Sequence, residues 1–246
     1  MRVGVYVDGY NLYYGARKHC GRSTPGWRWL DVRELVRPYA AWTGSSIARV
    51  VYCTARVNPS DSPSAAVDQS VYLDALVASG SVDEIAEGRY VSWAKEEPLV
   101  SSRNGSAAPA LFVDSGLESW SAGLPLRRTT DHHSGDPIVM ARIRKREEKG
   151  SDVNVATHLL HDVLKGNVDA AIVVSNDSDL ELPLRLARDV VPVGTVNPST
   201  NYLAGALRGL PTQGSGGHWW KQLQPPDFMR SQLPDPVARF RKPTGW

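Results

Sequence analysis

At 246 residues, with 41% hydrophobic and 22% charged, the chain can bury one full core with decorations or two small domains. A formal net charge of +2 excludes a global field that would advertise a polyanionic partner, so any basic surface must be local. Cys20 and Cys53 form neither a disulfide framework nor a ligand pair by spacing. With an opening apolar run too short for a signal peptide and no stretch able to span a bilayer, the expectation is a soluble, cytoplasmic protein with no membrane partner.

Short apolar runs alternate with segments of helical period, the pattern of an α/β fold. Residues 2–7 read as a buried strand, and residues 11–18 and 30–39 as helices separated by a turn at 21–26. A β-rich run covers 47–54, a helix 64–79 ends at Gly80, and a third strand lies around 89–93. After a helix that begins near Ser151, Asp169–Ser175 is the clearest buried strand, followed by a helix at 179–188 and a strand at 190–196. Strand and crossover helix alternate, which predicts a mainly parallel sheet. Two regions break the rhythm. Residues 94–137 show no sustained period and read as an irregular insertion, within which 110–113 has hairpin character. After a domain at 1–210, residues 211–246 form a Pro- and aromatic-rich tail expected to pack on that domain.

Ligands of an open parallel sheet bind beyond the carboxyl ends of its strands. There stand Val7-Asp8-Gly9-Tyr10-Asn11 and Ser175-Asn176-Asp177-Ser178-Asp179, which bring Asp8, Asp177 and Asp179 to one edge. Each alone has a plain reading, since Ser175 or Asp177 can simply cap the next helix. A fourth carboxylate, Asp152, lies in the first turn of the helix from Ser151, near Val155, Ala156 and Leu159. On that helix Val153, Ala156, Leu160, Val163 and Leu164 are read as one apolar face, and His158, His161 and Asp162 as a solvated stripe. Converging carboxylates repel, and a divalent cation relieves this; hard oxygen ligands favour Mg²⁺ or Mn²⁺.

These three stretches, with Lys149-Gly150-Ser151-Asp152-Val153 in the middle, resemble the motifs of the NYN-domain family of PIN-like nucleases. The resemblance covers about residues 1–210 with the motifs in family order. It implies a three-layer α/β/α, PIN-like fold and a metal-dependent endoribonuclease. Asp8, Asp152, Asp177 and Asp179 fall on the acidic catalytic and metal positions, and Asn11 and Ser175 on accessory polar ones, with Asn176 beside them. His158 departs from the pattern, standing where many relatives place another acid.

The expected chemistry is in-line phosphodiester cleavage of RNA through one or two cations. The candidate substrate grip is Arg142–Lys149, in which Arg144, Lys145, Arg146 and Lys149 can track phosphates, although a solvated charged face reads equally well. Two alternatives stay open: a non-catalytic RNA-binding or scaffold protein, and a nuclease acting on single-stranded DNA. A haloacid-dehalogenase-type phosphatase fits less well, because that chemistry wants an Asp at position 10, which is Tyr. A homo-oligomer or protein partner is compatible with the sequence but not specified by it.

Overall fold

The computed structural model describes residues 1–101, 110–116, 119–121 and 123–246. The chain divides into two compact units, Met1–Tyr90 with Glu148–Trp246, and Val91–Glu147. The first unit is built on parallel strands in the order β10-β9-β8-β1-β2-β3. Their ranges are β1 Arg2–Asp8, β2 Ser46–Ala55, β3 Glu84–Pro98, β8 Ala170–Val174, β9 Val193–Asn197 and β10 Trp219–Gln222. Every one of these pairings is parallel because a helix or long crossover separates each strand from the next.

Alternation along β1 explains the layers. Val3, Val5 and Val7 face one core with α1 (Gly9–Cys20), α2 (Val32–Val36) and α3 (Pro63–Ala78). Tyr6 faces the other, with Val51 and Cys53 of β2, α4 (Ser151–Leu164) and α5 (Glu181–Arg188). The expected α/β class, mainly parallel sheet and helices on both faces are therefore present. Phe228 of α7 (Pro225–Arg230), Leu223 and Leu233 are buried in the first core, and Trp246 sets its ring 5.7 Å from that of Tyr72.

The face that α4 buries overlaps the one the sequence suggests but is turned from it: Val163 is buried, and Ala156 and Leu160 pack partly buried against the second core. Val155, Leu159 and Val163 are buried, spaced by four, while Val153 and Leu164 are 66% and 70% exposed. Apolar residues run part way round this helix, and docking against β1, β2 and β8 selected the side that carries Asp162 inward. Asp162, read as part of a solvated stripe, is fully buried. It accepts from the Tyr6 hydroxyl at 3.0 Å, from Arg49 Nη1 at 3.0 Å and from Asn167 Nδ2 at 3.0 Å.

In the second unit the distal part of β3 neighbours β7 (Pro137–Lys149), which pairs antiparallel with β6 (Leu126–Thr130). β4 (Val100–Ser101) and β5 (Ala110–Leu111) form a small antiparallel pair at the place read for hairpin character. The stretch at 94–137 thus holds strand segments among its described residues. Residues 102–109, 117–118 and 122 of that stretch lie outside the described residues. No described helix is long and apolar enough to cross a membrane.

Candidate functional site

Asp8 ends β1 and immediately caps α1. Its Oδ1 accepts from the Asn11 backbone N–H at 2.9 Å, and its Oδ2 from the Ser175 hydroxyl at 3.0 Å. The side chain is 1% exposed. Burial raises its pKa, the hydrogen bonds from Asn11 and Ser175 oppose that rise, and the charge of Asp177 adds to it.

Ser175 links the strand ends, since its Oγ also accepts from the Asp177 N–H at 3.0 Å. Asp177 then caps a single 3-10 turn at Ser178–Leu180, accepting from the Asp179 N–H at 3.0 Å. Asn11 Oδ1 accepts from the Asn176 N–H at 3.3 Å, which ties the two loops together. The Asn176 side chain is committed elsewhere: its Oδ1 accepts from Ala204 at 2.8 Å, and its Nδ2 donates to Ser199 Oγ and Tyr202 O at 3.1 Å. It holds the following loop in place.

Asp152 arrives from the second core. Gly150, at φ +103°, turns the chain from β7 into α4, and the Ser151 N–H and hydroxyl bond Glu148 Oε1 at 3.1 and 2.8 Å. The Asp152 carboxyl is pushed up to about 6, first by burial, then by the charges of Asp8, Asp177, Glu148 and Asp179. The four expected aspartates therefore share one electrostatic neighbourhood. Glu148 belongs to it as well, although in the sequence it is one acid inside a basic run. Its only cue was its position two residues before the glycine that opens α4. Among the described residues, no group of three or more His, Cys, Asp or Glu side chains is arranged to hold a metal ion.

The expected basic residues divide between the two units. Lys149 is exposed at the end of β7 in the first unit, whereas Arg144, Lys145 and Arg146 belong to the second unit. Arg144 Nε donates to Ser92 Oγ at 2.8 Å, and Lys145 pairs with Glu147 at 2.7 Å. On a strand, neighbouring side chains leave by opposite faces, so this run is not one stripe. His158 lies 3.6 Å from Glu84.

The sequence reading missed a cavity on the other side of the sheet edge. It measures about 460 Å³ and lies between α1, the end of β2 and α3. Tyr13, Tyr14, Tyr52, Tyr72, Tyr90 and Trp246 give it aromatic walls; Arg17, Arg22 and Arg28 face it with a single acid, Asp68. Gly9 lines it too, and a Cβ there would lie 2.7 Å from the Tyr52 ring, so glycine lets the ring lie against the start of α1. Burial raises the Tyr52 phenol above its usual range, and the charge of Asp8 adds to the rise. Through Gly9 and Tyr52 the cavity adjoins the carboxylate edge. Arg28 closes the far side, donating to Gly245 O at 3.2 Å and to the Arg22 carbonyl, with its guanidinium 5.0 Å from the Trp27 ring.

No family model matches the chain. It is 29% identical to the 6-hydroxy-3-succinoylpyridine 3-monooxygenase HspA of Pseudomonas putida, over 99% of this chain and 73% of that protein. Among solved structures it is similar to a protein of unknown function from Vibrio parahaemolyticus, at 15% identity and a TM-score of 0.44, over 91% of this chain and 93% of that one. The relative from Pseudomonas is a monooxygenase, an oxidoreductase. That finding overturns the hydrolytic expectations together: the metal-dependent endoribonuclease, its Mg²⁺ or Mn²⁺, the single-stranded DNA nuclease and the RNA-binding scaffold. The physical reason for the error is that clustered carboxylates show where negative charge and protons gather. They do not by themselves say whether a phosphate is cleaved or a ring oxidised.

Proposed function

We propose that this chain is an oxidoreductase of the monooxygenase type, acting on a small hydroxylated aromatic or N-heteroaromatic acid. The observation that carries the reading is the near full-length similarity to the Pseudomonas monooxygenase. The tyrosine and arginine cavity supports it. The substrate in that relative's name has a hydroxylated pyridine ring and a succinoyl chain ending in a carboxylate. Aromatic walls suit the ring, and Arg17 and Arg22 suit the carboxylate, since a guanidinium matches that group in shape and charge. A volume of about 460 Å³ falls in the range of small-molecule sites.

Mono-oxygenation consumes dioxygen and a two-electron reductant: one oxygen atom enters the substrate, and the second leaves as water after taking up two protons. The start of α1 does not fit a dinucleotide cofactor. A pyrophosphate would need glycines and free N–H groups at that helix N-terminus, but the sequence there is Asp8-Gly9-Tyr10-Asn11 and the Asp8 carboxylate already caps it. What the chain's own residues do is bind the ring, hold its acid tail and move protons. Asp152, with its carboxyl near 6, is suited to exchange a proton close to neutral pH.

The scaffold fits a PIN-like shell of the NYN type, supported by the order of the three motifs and their place at the strand ends. Cys20 and Cys53 are both free thiols, which fits a cytoplasmic protein. The test is incubation with 6-hydroxy-3-succinoylpyridine, NADH with and without added flavin, and ¹⁸O₂. The expected result is one ¹⁸O atom per product molecule, together with calorimetric binding of the acid in the absence of reductant. No binding and no incorporation for this or related hydroxypyridine acids would overturn the reading.

A further inference from the structure

A second cavity, of about 370 Å³, lies beside α5 and the loop that follows β9. Glu181, Arg185 and Arg188 reach it from one face of α5 at spacings of four and three, and Arg208 reaches it from α6 (Gly205–Arg208). None of these three arginines has an ion-pair partner among the described residues. Arg185 is exposed, whereas Arg188 is only 2% exposed. Arg188 Nη2 donates to Leu207 O at 2.5 Å and to Thr195 Oγ1 at 3.4 Å, while its buried Nε has no hydrogen-bond partner.

A guanidinium taken out of water without a carboxylate beside it is costly, and such groups are normally paired. Here the acids nearby are Glu181, on the cavity rim, and Asp189, the next residue in the chain; neither pairs with Arg188. Gly209, at φ +59°, lays its backbone against the buried group, and a Cβ there would lie 2.6 Å from Arg188 Cζ. The loop is thus shaped to enclose the charge. Three arginines and one glutamate leave a formal charge of +2 around the cavity. That balance suits a dianion better than a single carboxylate.

We propose that this cavity binds the phosphate group of a small molecule. Arg185 and Arg208 hold it from the open side, and Arg188 supplies a fixed positive charge behind the wall. The site is separate from the tyrosine cavity, and nothing in it depends on the oxidoreductase reading. The phosphate could be free or an ester, and the two have the same recognition chemistry.

Calorimetric titration of the full chain with inorganic phosphate, adenosine 5′-monophosphate and succinate tests this. Phosphate or its ester should bind, with at least tenfold preference over succinate, and added KCl should weaken the binding. Tighter binding of the ester than of inorganic phosphate identifies an ester site, and the reverse identifies a site for the free ion. Arg185→Gln/Arg208→Gln, changed at the cavity mouth, should keep the fold by circular dichroism and lose at least tenfold in phosphate affinity. Arg188→Lys, which keeps the charge but not the planar fork, should lose less. Equal phosphate affinity in the parent and the double variant would overturn the site. So would no binding by the parent at millimolar phosphate, or succinate binding as tightly as phosphate.

Discussion

The two ends of the parallel sheet bury carboxylates in opposite ways. Toward the amino ends of the strands, Asp162 receives a phenol, a guanidinium and an amide, and its charge is fully answered. At the carboxyl ends Asp8 is as deeply buried, yet it receives hydrogen bonds from the neutral Asn11 and Ser175, with no cation beside it among the described residues, and faces Asp152 and Asp177. A paired buried charge is a fastening, because removing either partner strands the other. A buried charge crowded by like charges works against the fold, and such positions mark functional sites. Depth of burial is nearly the same at both ends. The company each carboxylate keeps is what differs.

The sharpest way to break this comparison is to make one substitution at both ends. Asp162→Asn should lower stability by about 3 kcal/mol or more, because Arg49 and Tyr6 lose the charge they were arranged around. Asp8→Asn should leave stability level or raise it at pH 7, since it removes one of several repelling charges. Urea unfolding of both variants against the parent measures the two signs. Equal losses would show that the carboxylate edge is structural after all.

Asp152 sharpens the contrast through pH. Its carboxyl titrates near 6 in the folded protein against an ordinary 3.8, so the folded state holds the proton more tightly than the unfolded chain does. Ionisation therefore weakens the fold as pH rises from about 4 through 6, and below about pH 4 the difference vanishes. Asp152→Asn should gain about 1–2 kcal/mol above pH 6, after allowance for the wet part of the side chain, and nothing at pH 4. The same variant should lose about 100-fold in turnover, as loss of a proton-transfer group does. In the parent, turnover should fall as pH drops through about 6. Thermal melts and rates across pH 4–8 check both halves.

Two smaller effects concern the cavity that adjoins the carboxylate edge. Trp246→Ala removes a ring that packs 5.7 Å from Tyr72 and 6.5 Å from Trp29, and should cost about 1–2 kcal/mol while weakening aromatic-acid binding. Arg17→Gln should leave the fold and kcat unchanged and raise KM by about tenfold, the signature of lost ground-state grip on a carboxylate. If Arg17→Gln lowers kcat instead, the arginine acts on the reacting end, and the orientation of the acid in the cavity is reversed.

The function class was the least legible part of the sequence. Asp8, Asp152, Asp177 and Asp179 could be found from their place after strands and at a helix start, and the structure does put them in one electrostatic neighbourhood. Their shared chemistry was misread because carboxylates serve phosphate cleavage and proton transfer alike. What separates these is the similarity to a monooxygenase, and the cavity walled by Tyr13, Tyr52, Tyr72 and Trp246 supports the proposed reading. No motif joins residues so far apart in the chain.

The alternation of strand and helix, the parallel pairing this compels, and the placing of three polar motifs at strand ends could all be read from the chain before it folds. Those follow from local period and from the crossover each parallel pair needs, both of which are properties of neighbouring residues. Docking on the sheet settled which side of α4 is buried, since Val155 and Leu159 compete with Val153 and Leu164 until the sheet is there to dock against. Tertiary structure also decided that Asp162 meets Arg49, 113 residues away, while Arg188 pairs with no acid among the described residues. Charges and rings act through distance in space, and only the folded chain sets those distances.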